Sequence, residues 1–253
     1  MFSEWYDEYF VPRGYAVVEA AVPGTGASEG CPTTGAQVTV QRQDGAWETS
    51  SDWPYEGTRP VRMWFGPATP TAAGTLRGTP AARDAAQSFT DDPAQTEATM
   101  IAAPEAAAPH RLAYLGEPLA EAVHLSGTAE VRVRVTSSSS SSPLTALLVD
   151  YGPATPQAAA NASEDKPPPQ VLPIVTRGSI DVKNRHSLTE PSPLRPGRTY
   201  PVRWRLHATD YVFPEGHRIG LVIVANDREY ITPDPAAGSV TLDLAGSSLT
   251  LPL

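Results

Sequence analysis

The sequence lacks the features that mark several common classes of protein. It has one cysteine, Cys31, among 253 residues, which excludes an internal disulfide and a cysteine metal cluster. No apolar run approaches the roughly 18 residues that a membrane-spanning helix needs, so we expect no membrane segment. Lysine and arginine total 19 against 28 acidic residues, and the net charge of −9 argues against a nucleic-acid partner.

A secretion signal is also missing from the first ten residues. The segment 1–10 is acidic and aromatic, with neither a basic start nor an apolar core. The sequence therefore predicts no signal peptide. It leaves the localisation open, with the cytoplasm as the default.

No convincing amphipathic helix is present. The stretches 81–87 and 94–108 are rich in alanine, but Pro104 interrupts the second. The chain instead carries 27 prolines and 19 glycines, which is typical of short strands joined by turns. The long stretch 66–109 is weakly patterned, and we expect it to run over the surface with at most one short helix.

Alternation with a period of two dominates from residue 37 onward. The C-terminal part predicts four strands with one apolar and one polar face each, at 200–206, 219–224, 240–244 and 249–253. Earlier runs predict further strands at 38–40, 61–65, 112–115, 122–125, 131–135 and 144–149, with 46–49 as the returning arm of the first. Two short apolar runs follow, at 174–175 and 180–182. Roughly nine to eleven strands with long connections indicate an all-β fold of two packed antiparallel sheets.

Motifs near the N-terminus carry a resemblance to a known enzyme family. WYDEYF at 5–10, PRGYAVV at 12–18 and SEGCP at 28–32 resemble the start of a hydrolase module. That module is the α/β-hydrolase domain of Xaa-Pro dipeptidyl-peptidases and related cocaine-esterase-like acyl hydrolases. The resemblance implies that residues 1–36 are a remnant of such a domain.

The rest of the chain resembles another part of the same family. QRQDGAWE at 41–48, DYVFP at 210–214 and GHRIGL at 216–221 are similar to its C-terminal, non-catalytic domain. In this family, that domain is described as galactose-binding-like. The resemblance implies a jelly-roll β-sandwich over residues 37–253.

The residues that perform catalysis in this family have no counterpart here. The nucleophilic serine, the acid and the histidine base lie between the two matching parts, where this chain has only Ala36 and Gln37. The resemblance therefore implies an incomplete member that is inactive alone, with no catalytic, cofactor-binding or metal-binding residue. It also implies that the surface facing the missing body is exposed, so we expect self-association or docking to a hydrolase body.

Three alternatives stay open. GASEG at 26–30 matches the Gly-x-Ser-x-Gly pattern, but CPTTG at 31–35 cannot form the helix that a nucleophile elbow requires, so catalysis by Ser28 is disfavoured. The chain could instead be a carbohydrate- or peptide-binding jelly-roll module. It could also be one subunit of a split serine peptidase or esterase.

The histidines and paired acids favour structural roles. His217 lies at a turn between strands, where we expect its ring to pack and not to act as a base. His186 and His207 lack the spacing of metal ligands. Asp91 and Asp92 are interpreted as a solvated pair. The sequon at 161–163 is given no weight without a secretion signal.

Two larger sets of side chains were considered as ligand-binding groups. Four carboxylates could serve a calcium site, but without a D-x-D-x-D run we expect them to be solvated or paired with arginine: Asp150, Asp181, Asp210 and Asp227. Five aromatic side chains could stack on a sugar, but we expect them in the core: Trp53, Trp64, Trp204, Tyr211 and Tyr230.

Overall fold

A computed structural model describes residues 38–41, 47–152, 174–234 and 238–253. The remnant expected at 1–36, Ser28, Cys31 and the sequon at 161–163 lie outside the described residues. The strands are β1 (Val38–Gln41), β2 (Trp47–Ser50), β3 (Pro60–Gly66), β4 (Gly74–Arg77), β5 (Ala86–Thr90), β6 (Leu112–Leu115), β7 (Val123–Gly127), β8 (Glu130–Ser137), β9 (Pro143–Tyr151), β10 (Ile174–Asp181), β11 (Thr199–Arg205), β12 (Thr209–Phe213), β13 (Arg218–Val224) and β14 (Ser239–Pro252). One α-helix, α1 (Glu97–Ile101), and a 3-10 helix, Val182–Asn184, complete the described elements.

Hydrogen bonding links ten strands into one path that folds back on itself as a β-sandwich. The order is β10-β9-β13-β6-β4-β3-β14-β8-β11, with β5 also on β14, and only β4 and β6 pair in parallel. Leu148 and Leu221 from one half pack with Val133, Val202 and Leu242 from the other in a single core. The prediction of an all-β jelly-roll sandwich is confirmed.

The alternating strands form where the sequence predicts them. Val131 and Val133 on β8 are fully buried, while Arg132 between them is exposed. On β11, Val202 pairs with Val133 and Arg203 pairs with Arg132, so apolar side chains meet inside and charged ones outside.

The prediction that β13 has one polar face is wrong. Ile219 to Val224 are all buried, because the second face of this strand is also covered. Met100 and Ile101 of α1 pack on Val222 and Val224 in a smaller cluster outside the main core. The sandwich therefore carries a third layer at this place, formed by the stretch between β5 and β6.

The stretch 66–109 is more structured than expected. It contains the one short helix allowed for, but also β4 and β5, which the sequence interpretation missed. The helix begins at a capping box, in which the Thr96 hydroxyl accepts from the backbone N–H of Thr99 and the Thr99 hydroxyl faces the Thr96 backbone. The structure thus has fourteen strands in the described ranges, more than the nine to eleven predicted.

The two C-terminal strands predicted at 240–244 and 249–253 are one strand, β14. Its register shifts between Asp243 and Ser248, where Ala245 N–H donates to Asp243 Oδ1 at 3.0 Å and Ser247 Oγ donates to the Asp243 carbonyl at 2.6 Å. These local bonds satisfy the bulged backbone, so the strand continues across it. The two short runs at 174–175 and 180–182 likewise belong to one strand, β10. β12 was not predicted from the sequence, and it pairs with β7. None of the helices described is long and apolar enough to cross a membrane.

Candidate functional site

Three polar side chains meet at one end of the sandwich. The Nδ1 atom of His217 lies 2.8 Å from Asp150 Oδ1, and the Tyr211 hydroxyl donates to Asp150 Oδ2 at 2.8 Å. Asp150 is buried and His217 is partly exposed. Burial raises the pKa of Tyr211, and its hydrogen bond to the Asp150 carboxylate raises the pKa further, so the phenol stays a donor.

The strand ends hold this cluster in place. Asp150 lies near the end of β9, Tyr211 on β12, and His217 on the turn before β13. A side chain at Gly152 would collide with the His217 ring, since a Cβ there would lie 2.8 Å from its Cε1. A larger residue at position 152 would therefore force the imidazole to shift from its place beside Asp150.

The contact between His217 and Asp150 resembles that between the histidine and the acid of a serine-hydrolase triad. Asp150 fixes the orientation of the imidazole of His217, as the acid does in a triad. Among the hydrogen bonds of the described residues, none joins His217 to a serine, threonine or cysteine. The geometry thus favours a packed, oriented histidine, and the assignment of no catalytic residue stays a prediction because Ser28 is outside the described residues.

The four carboxylates considered for calcium are each paired with a different basic side chain. Asp150 contacts His217, and Asp210 contacts His124 Nε2 at 2.9 Å. Asp181 lies 2.7 Å from Lys183 Nζ, and Asp227 lies 3.0 Å from Arg177 Nη1. The structure therefore gives each of them a hydrogen-bonding or ion-pair partner within the fold and does not gather them around one ion position.

Arg177 is the centre of a second polar cluster, at the edge strand β10. Its Nη1 contacts both Glu97 of α1 and the fully buried Asp227. Burial raises the pKa of Asp227, while the charge of Arg177 opposes that rise. Carboxylate oxygens of Glu97, Asp227 and Glu229 lie within 4.8 Å of one another, but the guanidinium already supplies positive charge there. The cluster ties α1 to the sandwich.

The expectation that Asp91 and Asp92 are a solvated pair is wrong. Asp91 accepts from the backbone N–H of Asn226 at 3.0 Å and from its side-chain amide at 2.6 Å. Asp92 accepts from the backbone N–H of Ala94 at 2.9 Å. Both residues are half-buried. Asp92 stabilises the turn that leads to α1, whereas Asp91 ties the end of β5 to Asn226. His186 is exposed, and His207 contacts the Tyr230 hydroxyl.

The aromatic side chains are divided between the core and separate surface positions. Trp204 is buried, and Tyr211 and Trp64 are half-buried. The expectation of a core position is wrong for Tyr230, which is 41% exposed and lies beside the guanidinium of Arg177. Trp47, which was not among the aromatic residues considered for a sugar, is 67% exposed on β2. These two exposed rings lie on different elements, which gives no support to a sugar platform.

A cavity of about 470 Å³ opens on the outer face of the β9–β13 pair. Leu115, Tyr151 and the 103–106 segment supply most of its walls, and Arg218 and Glu105 form an ion pair at 2.6 Å beside it. From the sequence, Arg218 was recognised only as part of the GHRIGL motif at 216–221. The available signal was a single charged residue at the head of an otherwise apolar strand, RIGLVIV.

Comparison with known families matches almost the whole chain. The family model described as the X-Pro dipeptidyl-peptidase C-terminal non-catalytic domain matches residues 31–250. A protein of Streptomyces avermitilis, provisionally named Xaa-Pro dipeptidyl-peptidase, is 31% identical over 245 residues, covering 85% of this chain and 35% of that protein. A protein of Bacillus anthracis with the same provisional name is 33% identical over 221 residues, covering 85% of this chain and 33% of that protein. The chain thus spans about a third of the length of these curated relatives.

Solved structures show the same fold at low sequence identity. An α-amino acid ester hydrolase aligns with a TM-score of 0.65 and 16% identity, covering 98% of this chain and 43% of that chain. An aminopeptidase from a marine sediment archaeon, Thaumarchaeota archaeon, aligns with a TM-score of 0.62 and 16% identity, covering 84% of this chain and 40% of that chain. A CocE/NonD family hydrolase from Staphylococcus aureus aligns with a TM-score of 0.56 and 13% identity, covering 85% of this chain and 40% of that chain.

Proposed function

The chain belongs to the family of the X-Pro dipeptidyl-peptidase C-terminal non-catalytic domain, and from that membership we propose that it acts by docking on an α/β-hydrolase body. The observation that carries the proposal is the match over residues 31–250 to a domain described as non-catalytic. In the docked state the sandwich would help to shape the substrate entrance of a serine hydrolase that releases Xaa-Pro dipeptides. Residues 1–36 are proposed as a remnant of the hydrolase domain.

The proposal predicts that the purified chain does not turn over substrates of the family. Ala-Pro-p-nitroanilide tests dipeptide release, and p-nitrophenyl acetate tests general esterase activity. We expect no hydrolysis above the buffer rate for either compound. Turnover that disappears in the Ser28→Ala variant would contradict the proposal and favour a residual serine esterase.

Docking can be tested on the hydrolase body of a relative. The part of the Streptomyces avermitilis relative that aligns with this chain, about a third of its length, is replaced by this chain, and hydrolysis of Ala-Pro-p-nitroanilide is measured against the parent protein. We expect the hybrid to fold and to keep measurable activity. A hybrid that folds as two independently unfolding units would argue against docking. A matched hybrid with an unrelated β-sandwich of similar size controls for the mere presence of a folded domain.

Self-association is a separate proposal with a separate test. Four large apolar side chains are exposed among the described residues: Trp47, Val61, Leu188 and Tyr230. Single exposed apolar side chains are normal on a protein surface, so the proposal rests on the surface that would face the hydrolase body, where a contiguous apolar patch would favour an interface. Size-exclusion chromatography with light scattering should show dimers or larger species, and a clean monomer at all concentrations would count against it. If the hydrolase body is a separate subunit, adding that subunit should replace self-association by a mixed complex.

A further inference from the structure

Arg218 presents a fixed guanidinium beside the 470 Å³ cavity on the outer face of β9 and β13. Its Nε donates to the Gly116 carbonyl at 2.9 Å, which fixes the plane of the group. Its Nη1 donates to Glu105 at 2.6 Å. Arginine held in this way offers a planar fork of donors that matches a carboxylate. The side chain of Arg218 is only 29% exposed, so its charge is partly shielded from water.

Apart from Arg218 and Glu105, the walls of the cavity are largely apolar and are held by specific contacts. Tyr151 lies directly opposite Arg218 in the β9–β13 register, and its hydroxyl donates to the Ile101 carbonyl at 3.1 Å. A Cβ at Gly220 would lie 2.3 Å from the Tyr151 ring, so glycine there lets the ring lie against β13. Burial raises the pKa of Tyr151 to about 12, although the charge of Arg111 opposes this, so the ring stays neutral.

The opposite wall carries backbone strain. Ala103 has a φ of 43°, a left-handed conformation that L-residues other than glycine avoid. Arg111 holds it there, with Nη2 donating to the Ala103 carbonyl at 2.9 Å. Strain of this kind persists only where the surrounding contacts fix the backbone, and it is common at binding sites. The wall is thus formed before any ligand arrives.

The side chain of Glu105 can rotate away from Arg218 at little cost in stability. Its side chain is 77% exposed, and its ion pair with Arg218 is the exposed kind that contributes little stability. The carboxylate of Glu105 therefore occupies a position on Arg218 that a carboxylate from solution could take.

We propose that this cavity binds a small carboxylic acid with an apolar body, whose carboxylate displaces Glu105 from Arg218. The apolar part of the ligand would lie against Tyr151, Leu115 and the alanines of the 103–106 segment. A cavity of this volume, with mostly apolar walls and one oriented charged group, has the properties of a small-molecule site. The inference does not depend on docking to a hydrolase body.

The test compares 4-phenylbutyrate with its neutral amide, 4-phenylbutyramide, by isothermal titration of the full chain. We expect the acid to bind at least tenfold more tightly than the amide, because the hydrogen bonds to Arg218 are charge-assisted. Arg218→Gln should raise the Kd of the acid about tenfold or more and leave that of the amide unchanged. Arg83→Gln, which removes a charge from an exposed loop position, is the matched control.

The Glu105→Gln variant is the more decisive test, because the proposal predicts that it binds the acid more tightly. Without the competing carboxylate, the Kd of the acid should fall about two- to fivefold. Glu117→Gln changes the net charge equally at an exposed position outside the cavity and should have no effect. Equal binding of acid and amide, no binding of the acid, or a Glu105→Gln affinity no better than that of Glu117→Gln would overturn the proposal. If Arg218→Gln does not fold, the Glu105→Gln comparison still decides it.

Discussion

The indole Nε1 of Trp204 donates to the carbonyl oxygen of Gly178 at a distance of 2.9 Å. Trp204 lies on β11 and Gly178 on β10, which are the two ends of the hydrogen-bonded strand path. Nearby, His207 N–H donates to the Arg177 carbonyl at 2.8 Å, and the Thr176 hydroxyl donates to the His207 carbonyl at 2.8 Å. These bonds join the edge strands β10 and β11, which are not paired by a β-ladder.

Replacing Trp204 with phenylalanine should lower the free energy of unfolding by about 1–3 kcal/mol, because the Gly178 carbonyl would lose its indole donor in a buried position. Urea denaturation followed by circular dichroism would measure the loss. Trp47→Phe is the control, because Trp47 is exposed and its replacement should change stability by no more than about 0.5 kcal/mol. Equal losses in the two variants would contradict a role for the bond.

Gly178→Ala tests the close approach of β10 to the end of β11 in the same region. A Cβ at residue 178 would lie 2.4 Å from the Arg205 carbonyl oxygen, so the backbone of β10 or β11 must shift. We expect a loss of about 1–3 kcal/mol in the free energy of unfolding, typical of overpacking. Gly78→Ala has open space around the added methyl and should leave the thermal midpoint unchanged or raise it.

Met100→Ala should weaken the third layer more than the sandwich. Met100 is fully buried against the outer face of β13, and removal of such a side chain costs about 2–5 kcal/mol. Hydrogen exchange should accelerate over residues 97–106 before it accelerates in β8 or β14. Uniform acceleration over all strands would show that the layer and the sandwich unfold as one unit.

Asp181 should make stability depend on pH in the acid range. Burial raises the pKa of its carboxyl, but the hydrogen bonds from Lys183 and Ser141 outweigh burial and the pKa is lowered overall. A lowered carboxyl pKa contributes stability that is present above the unfolded pKa of 3.8 and is lost as the pH falls through the folded pKa. Asp181→Ala should therefore destabilise the protein at pH 7, by about 0.5–2 kcal/mol for the lost cap, and by less at pH 3.

Urea unfolding at the two pH values would measure this difference. Asp84→Ala, at an exposed position between β4 and β5, is the matched control and should change the free energy of unfolding at pH 7 by no more than about 0.5 kcal/mol. A loss for Asp181→Ala that is the same at pH 7 and pH 3 would contradict the role of the ionised carboxylate.

Much of the sandwich could be predicted from the sequence because its strands carry their own pattern. Val131, Val133 and Val135 alternate with arginines, and the structure buries each valine. β4 and β5, with the sequences GTLR and AQSFT, carry no such alternation and were missed. The second buried face of β13 could not be predicted, because its cover comes from Met100 and Ile101, far away in the chain.

The polar clusters were harder to predict than the strands. His217 was identified as a residue at a turn, but its partner Asp150 lies 67 residues earlier, and nothing local links the two. The cavity is likewise formed by residues from the 103–106 segment, β6, β9 and β13. The domain type could be predicted from the family resemblance, because each of its motifs is a contiguous stretch of sequence. Contacts between distant segments could not be predicted, because they depend on how the chain folds.

The position of β14 in the chain has a consequence for how this protein is made on the ribosome. β14 is hydrogen-bonded to β3, β5 and β8, and all three leave the ribosome before it does. Until residues 239–252 emerge, these strands lack their shared neighbour, and their unpaired edges are open to incorrect pairing. Synthesis pauses or chaperone contacts in this interval should therefore affect the yield of native protein more than events earlier in translation.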